Sequence, residues 1–227
     1  ANDADPNFLF RNLGNGTFED VSLLSGTAYD ETGKAEGSMG VNFGDIDNDG
    51  LLDLVVGNFE FETNAFYKNL GGGVFLDHRF PSGFGESTLL DLTFGIVLAD
   101  LEHDGDLDVV MVNGHILDNA PDFNPTSRYE QRNRVFENLG GGRLRPLADH
   151  GMDSIKASRG VAVGDLDLDG DLDVVVVNSH DVAEIYENRS TTDDRVWVQV
   201  DLYRESSNSL GIGARIEVSA GATSRQV

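Results

Sequence analysis

Cysteine is absent from this chain of 227 residues, which excludes a disulfide framework and a thiolate metal site. Proline occurs only 5 times and tryptophan once. No run of about 18 apolar residues is present, which argues against membrane insertion. Positive charge is scarce too, because 16 Lys and Arg face 40 Asp and Glu, for a formal net charge of −24. Such an acidic chain argues against nucleic acid and anionic membrane as partners.

Glycine, in contrast, is abundant at 27 residues, and Val, Phe and Leu recur in short runs. Short β-branched and aromatic runs between glycine turns are typical of many short strands. Hydrophobic residues make up 39% of the chain, which is enough for a core in one large all-β domain or two small ones.

A nine-residue acidic segment occurs three times, at 45–53, 100–108 and 165–173. In each copy, carboxylates stand at positions 1, 3, 5 and 9, and glycine stands at position 6. Carboxylates this close repel one another, and oxygen ligands at this spacing suit Ca²⁺. The glycine permits the sharp turn that points alternate side chains at one centre. We therefore predict about three Ca²⁺ ions, one in each segment.

The predicted ligands are the carboxylates of each segment and the backbone carbonyl of position 7. They are Asp45, Asp47, Asp49, Leu51, Asp53, Asp100, Glu102, Asp104, Asp106, Asp108, Asp165, Asp167, Asp169, Asp171 and Asp173. An EF-hand would need a bidentate Glu at position 12 between two helices, whereas position 12 here is Val56, Met111 or Val176. A solvated acidic turn is the alternative, and three copies in matching context weigh against it.

Other blocks recur around each acidic segment. A strand of alternating small and bulky residues precedes it, as at 39–44, and a Val-rich strand follows, as at 54–56. Next come a strand with an aromatic residue two positions before Asn and a Gly-rich turn, as at 64–73. The turn is typical of a hairpin, because a phosphate-binding loop would open a helix. Four strands per unit are typical of a propeller blade.

We therefore predict an all-β fold of β-propeller blades, each with four antiparallel strands and a DxDxDG calcium loop between strands 1 and 2. The blades are a partial one at 1–30 and further ones at 38–85, 93–150 and 158–190. A closed propeller has more blades, so this number predicts part of a larger propeller or an open assembly. Residues 191–227 change character and predict a separate β segment, with a half-buried strand at 195–202.

The three acidic segments, with the strands around them, resemble the FG-GAP/VCBS repeats of integrin-α-like β-propellers over about residues 1–190. Glu102 departs from that pattern, which usually has Asp. The tail at 207–216 resembles the start of an ASPIC/UnbV domain, and a chain with both resembles the cartilage acidic protein-like family. The resemblance implies an extracellular, Ca²⁺-stabilised propeller with a role in adhesion or matrix and without catalytic chemistry.

We expect a structural, adhesion or matrix module that is secreted, at the cell surface or in the periplasm, with a protein or glycan partner. Self-association through open blade edges, as a filament or coat subunit, is the alternative. A carbohydrate-active or other enzyme is a weaker hypothesis, because no motif pairs a nucleophile with a base. His115 and His180 follow matching strands and could share one face of the propeller.

The sequence also predicts the roles of several individual residues. His103, at position 4 of the second acidic segment, should be a solvated turn residue. Three arginines in a long connection should balance nearby acids: Arg128, Arg132 and Arg134. Asn15 and Asn188 each begin an N-glycosylation triplet.

Overall fold

The computed structural model describes residues 1–190, 197–198, 200–203, 208–214, 216–220 and 223–226. Their regular structure is almost entirely β. The strands are β1 (Phe10–Asn12), β2 (Phe18–Asp20), β3 (Val41–Gly44), β4 (Asp53–Val56), β5 (Ala65–Asn69), β6 (Phe75–Asp77), β7 (Thr93–Ala99), β8 (Asp108–Asn113), β9 (Gln131–Arg132), β10 (Arg134–Asn138), β11 (Leu144–Pro146), β12 (Ile155–Lys156), β13 (Ser158–Gly164), β14 (Asp173–Asn178), β15 (Glu184–Tyr186), β16 (Glu217–Ala220) and β17 (Thr223–Gln226). Helices α1 (Ser22–Ser25) and α2 (Ala120–Phe123) and a 3-10 helix at Glu86–Thr88 are short.

Three antiparallel sheets repeat one strand order. Unit 1 is β3-β4-β5-β6, unit 2 is β7-β8-β10-β11, and unit 3 is β13-β14-β15. Pairs β1-β2, β9-β12 and β16-β17 form two-stranded sheets. The predicted all-β fold with four-stranded antiparallel blades is therefore confirmed.

Each acidic segment connects the first and second strands of its unit. The residue before the segment pairs across the ladder with position 9, as Gly44 with Asp53, Ala99 with Asp108, and Gly164 with Asp173. Both ends of every acidic loop are therefore held together by the sheet. We call residues 45–53, 100–108 and 165–173 the first, second and third loops.

The hydrophobic core lies between neighbouring sheets. Phe66 of unit 1 and Met111 of unit 2 belong to one buried cluster, whereas Val110 of unit 2 and Val176 of unit 3 belong to another. Successive side chains of a strand point to opposite faces, so β8 serves both cores. The β-branched residues of the second strands fit this two-sided burial. The sheets consequently stack as propeller-like blades.

The first strands of neighbouring units lie side by side, and glycine permits the approach. A Cβ on Gly40 would lie 2.7 Å from the carbonyl oxygen of Phe94 in unit 2, and one on Gly95 would lie 3.1 Å from Cγ1 of Val161 in unit 3. A larger residue would push the units apart. Small residues are therefore needed in the first strands of units 1 and 2, where neighbouring units approach closely.

The tail differs from its prediction. The described residues of the expected 195–202 strand, 197–198 and 200–202, lie outside any strand, and the others fall outside the described residues. The segment 207–216 is described only in part, so its resemblance to an ASPIC/UnbV domain stays a prediction. No helix in the described ranges combines the length and apolar character that crossing a bilayer requires.

Candidate metal-binding loops

The first carboxylate of each loop accepts hydrogen bonds from backbone N–H groups later in the same loop. In the first loop, the two oxygens of Asp45 accept hydrogen bonds from the backbone N–H groups of Asp49 (3.0 Å) and Gly50 (2.9 Å). The matching glycine N–H donates to Asp100 in the second loop at 2.9 Å and to Asp165 in the third at 3.1 Å. Glycine adopts the required positive φ at all three sites. The loops are thus pre-formed as compact acidic turns.

The carboxylate at position 9 joins the start of its loop to the second and third strands. Asp53 is fully buried, and its oxygens accept N–H bonds from Ile46 at 3.1 Å and from Asn69 on β5 at 2.8 Å. Position 9 accepts the same pair of bonds in the other two loops. Burial, opposed by these bonds, raises the pKa of Asp53 to about 6, and the charges of Asp49 and Asp45 add to the rise. An adjacent cation would offset this cost.

The carboxylates at positions 1, 3 and 5 converge in the first and third loops. One oxygen from each lies within 4.8 Å of the others, both for Asp45, Asp47 and Asp49 and for the matching set of the third loop. The Asp47 side chain is only 7% exposed, and its Oδ1 has no hydrogen-bond partner in the described structure. A buried anionic oxygen without a partner is costly. These all-oxygen clusters therefore fit Ca²⁺.

The second loop is arranged differently. Glu102 hydrogen-bonds to Asp108 at position 9, and burial together with this contact raises the pKa of Asp108 to about 8. Positions 1, 3 and 5 of this loop are not among the converging groups of the described residues. The assignment of the fifteen individual ligands, including the carbonyl of Leu51, stays a prediction in all three loops.

Neighbouring loops contact each other through side chains. Asn48, at position 4 of the first loop, donates from Nδ2 to Oδ1 of Asp106 in the second loop at 2.5 Å. Nε2 of His103, at position 4 of the second loop, lies 2.8 Å from Oδ1 of Asp171 in the third. The expectation of a solvated His103 is wrong, because its side chain is only 19% exposed in this contact. Position 4 of one loop therefore binds position 7 of the next.

The asparagine at or just after the end of the third strand ties units 2 and 3 to the preceding unit, whereas Asn69 of unit 1 bonds the carbonyl of Leu52 in its own loop. Nδ2 of Asn138 donates to the carbonyl of Ile46 in the first loop at 2.7 Å, and Nδ2 of Asn188 donates to that of Leu101 in the second at 2.8 Å. The recurrent aromatic-x-Asn pattern is therefore explained by loop anchoring. Since Nδ2 is the atom that N-glycosylation would modify, this contact opposes glycosylation of Asn188 in the folded chain.

The first loop holds a basic side chain. Nζ of Lys68, on β5, bonds Oδ2 of Asp47 and lies 3.5 Å from Oδ2 of Asp49. The matching residues of units 2 and 3 are acidic, and they pair with arginines instead: Glu137 with Arg145 and Glu187 with Arg189. The contact was missed in the sequence, although the Lys/Glu difference is visible there.

The two candidate histidines have different surroundings. His115 is buried, with Nε2 3.2 Å from Oε1 of Glu60 and Nδ1 accepting the N–H of Leu117. Ser127 donates from Oγ to the same Glu60 oxygen at 2.7 Å. His180 is exposed. The serine hydroxyl bonds the carboxylate and not the imidazole, which fits an anchor for the 115–131 connection better than a nucleophile–base pair.

The arginines of that connection behave largely as expected. Arg134 pairs with Asp91 and Arg132 with Asp153, whereas Arg128 donates to the backbone carbonyls of Pro125 and Ser127.

The stacked antiparallel units and the acidic loop between their first two strands define a propeller-like repeat protein. The FG-GAP-like repeat pattern matches residues 1–56, 45–111 and 118–176, and the chain belongs to this family. It is similar to cartilage acidic protein 1 of Xenopus tropicalis, with 29% identity over 187 residues, or 81% of this chain and 26% of that protein. The Mus musculus and Homo sapiens proteins of the same name are 27% and 26% identical over 186 residues.

The chain thus spans about a quarter of the length of these relatives, since it covers 26% of each. The expected resemblance to FG-GAP repeats and to the cartilage acidic protein family is confirmed. Among solved structures, an Agrocybe aegerita lectin that recognises non-reducing terminal N-acetylglucosamine matches 84% of this chain and 48% of its own, with 22% identity and a TM-score of 0.44.

Proposed function

We propose that this chain is a Ca²⁺-binding extracellular β-propeller module with a structural, adhesion or matrix role, and that it is not an enzyme. The observation that carries the proposal is the convergence of three carboxylates in the first and third loops, where the buried Oδ1 of Asp47 has no hydrogen-bond partner among the described residues. A divalent cation there would neutralise charges that otherwise repel.

The ion would act on stability and not on a substrate. Each loop joins the first two strands of a unit, and Asn138 bonds a first-loop carbonyl from the neighbouring unit. An ordered loop therefore stabilises both its own blade and the interface with the next blade. Carboxylate sites of this type, without a helix pair, suit the weak affinities of extracellular modules, on the order of 10⁻⁴–10⁻³ M.

The extracellular setting is supported by similarity and chemistry. The relatives are named cartilage acidic protein 1, and 81% of this repeat-containing chain aligns with them. The chain lacks cysteine, so disulfides cannot staple the blades. Ca²⁺ at millimolar concentration would serve as the staple instead. The partner would be a protein or a glycan.

Thermal melting with 5 mM Ca²⁺ and with excess chelator tests this proposal. We expect the midpoint to fall by roughly 10 °C in chelator, because an ion that binds only the folded state stabilises it by mass action. Mg²⁺ at the same concentration should restore little. Asp167→Asn in the third loop should reduce the Ca²⁺ effect, whereas Asp149→Asn, at an exposed site outside the loops, should not. An unchanged midpoint would refute Ca²⁺ stabilisation.

Self-association is a second candidate, and the outer edge of unit 3 favours it. In the described structure β15 pairs only with β14, and its Ile185 is 67% exposed. An open apolar edge is a template for pairing with another chain. Light scattering after size exclusion in Ca²⁺ should show a dimer or larger species that Ile185→Lys disrupts. A strictly monomeric wild-type chain would eliminate this candidate.

A further inference from the structure

One basic side chain distinguishes the first loop from the other two. The residue before the recurrent Asn of the aromatic-x-Asn pattern is Lys68 in unit 1, but Glu137 in unit 2 and Glu187 in unit 3. Only in unit 1 does this position place a positive charge on the acidic loop of its own sheet. Any difference in ion binding among the loops should therefore begin here.

Lys68 lies inside the carboxylate cluster. Its Nζ contacts Asp47 and Asp49, which belong to the set of three converging oxygens. The Lys68 side chain is 28% exposed, so a route outward to solvent exists, whereas that of Asp47 is almost fully buried. The amine satisfies one oxygen of Asp47 and leaves Oδ1 without a partner in the described structure. The lysine thus neutralises the cluster only in part.

We propose that Lys68 is a tethered counter-cation that occupies the first loop in the absence of Ca²⁺ and must withdraw when the ion binds, so that the first loop binds the ion more weakly than the third. This inference rests on the proposed Ca²⁺ function. A divalent ion and an ammonium group a few ångströms apart repel each other, so Ca²⁺ must displace the amine before it gains the full attraction of Asp47 and Asp49. The third loop, which has a converging cluster and no such lysine, should fill first.

A titration of the ¹⁵N-labelled chain with Ca²⁺, followed by NMR, tests the inference site by site. The position-6 amides of Gly50 and Gly170 donate to the first carboxylate of their loops, so each reports its own site. In the wild type we expect the Gly50 amide to titrate at a roughly tenfold or more higher Ca²⁺ concentration than the Gly170 amide. Lys68→Gln should remove most of that difference.

Two further variants serve as controls. Arg11→Gln removes one positive charge at the matching position of the β1–β2 pair, where Arg11 bonds Glu19 and no acidic loop, and it should leave the Gly50 titration unchanged. Glu187→Lys places a lysine at the matching position of unit 3 and should weaken the third loop. Circular dichroism of each variant in Ca²⁺ checks that it is folded.

The outcomes separate the two proposals. If Gly50 and Gly170 titrate together in the wild type, or if Lys68→Gln and Arg11→Gln behave alike, the role of Lys68 is overturned while Ca²⁺ binding stands. If neither amide responds to Ca²⁺ in the wild type or in Lys68→Gln, the proposed function itself fails.

Discussion

The first and second loops have the same spacing and the same hairpin register, yet they hold their carboxylates differently. In the first loop, Asp47 at position 3 converges with positions 1 and 5. In the second, Glu102 at position 3 bonds Asp108 at position 9. One additional methylene group thus redirects a carboxylate from the centre of the loop to its end.

This difference distinguishes two roles of the carboxylates, cation binding and backbone hydrogen bonding, that the sequence spacing alone does not distinguish. Positions 1, 3 and 5 can gather around a cation, whereas position 9 is already engaged with backbone N–H groups in all three loops. The carboxylate at position 9 therefore stabilises the loop through backbone hydrogen bonds even before any ion binds.

The largest effect should come from removing a position-9 carboxylate. Asp53→Ala and Asp108→Ala each leave two buried backbone N–H groups without an acceptor. We expect a loss of about 3 kcal/mol in the free energy of unfolding, or roughly 6–12 °C in melting midpoint, in chelator. Asp53→Asn, which keeps one acceptor oxygen, should cost less. Equal midpoints for Asp53→Ala and wild type would show that the position-9 carboxylate does not stabilise the fold in the absence of Ca²⁺.

The second-largest effect should be a dependence of the free energy of unfolding on pH, caused by Asp108 in the second loop. The folded pKa of Asp108 is raised from 3.8 to about 8 by burial and Glu102, so the folded state holds a proton that the unfolded chain has lost. This stabilisation is complete below about pH 4 and is lost as the pH rises through 8.

In chelator, lowering the pH from 9 to 7 should therefore stabilise the chain by about 1.4 kcal/mol, or roughly 3–6 °C. Burial lowers the pKa of His78 and of His150 from 6.5, so protonation of these two histidines contributes little in this window. Melting curves of Asp108→Asn should lack this dependence. A wild-type midpoint that is flat or falls toward pH 7 would contradict the assignment.

Shortening Glu102 should make the second loop resemble the first. Glu102→Asp withdraws the carboxylate from Asp108 toward positions 1 and 5. We expect the Gly105 amide to titrate at a roughly tenfold lower Ca²⁺ concentration, since a third carboxylate then faces the ion. Asp167→Glu in the third loop is the matched reversal. It should raise the Ca²⁺ concentration at which the Gly170 amide titrates. If Glu102→Asp binds no tighter, the position-3 contrast does not control affinity.

The sequence predicted those features that recur at a fixed spacing. Every loop could be located from its Asp spacing and from the glycine at position 6, which is Gly50, Gly105 or Gly170. The Val-rich segments located the second strands, because burial on both faces needs apolar runs. The aromatic-x-Asn pattern located the third strands. Local chemistry is sufficient for features of this kind.

The contacts between units could not be read in the same way. The bond from Asn48 to Asp106 joins residues 58 positions apart, and it depends on how two sheets stack. The turn of Glu102 toward Asp108 depends on one methylene and on burial. Lys68 could have been flagged, because its position is acidic in units 2 and 3, but only the sheet shows that β5 directs it at the loop.

The smallest effect is expected at position 4, where the three loops differ in partner but not in backbone. Asn48, His103 and Leu168 all have positive φ, at 59°, 57° and 66°. Asn48→Ala and His103→Ala should each cost about 1 kcal/mol, because each removes a hydrogen bond to the next loop. Leu168, which is 78% exposed, is the control for the backbone strain, and Leu168→Ala should cost less than about 0.5 kcal/mol. Urea unfolding at pH 8 provides the comparison. If Leu168→Ala costs as much as Asn48→Ala, the contacts between loops add nothing to the stability of the stacked blades.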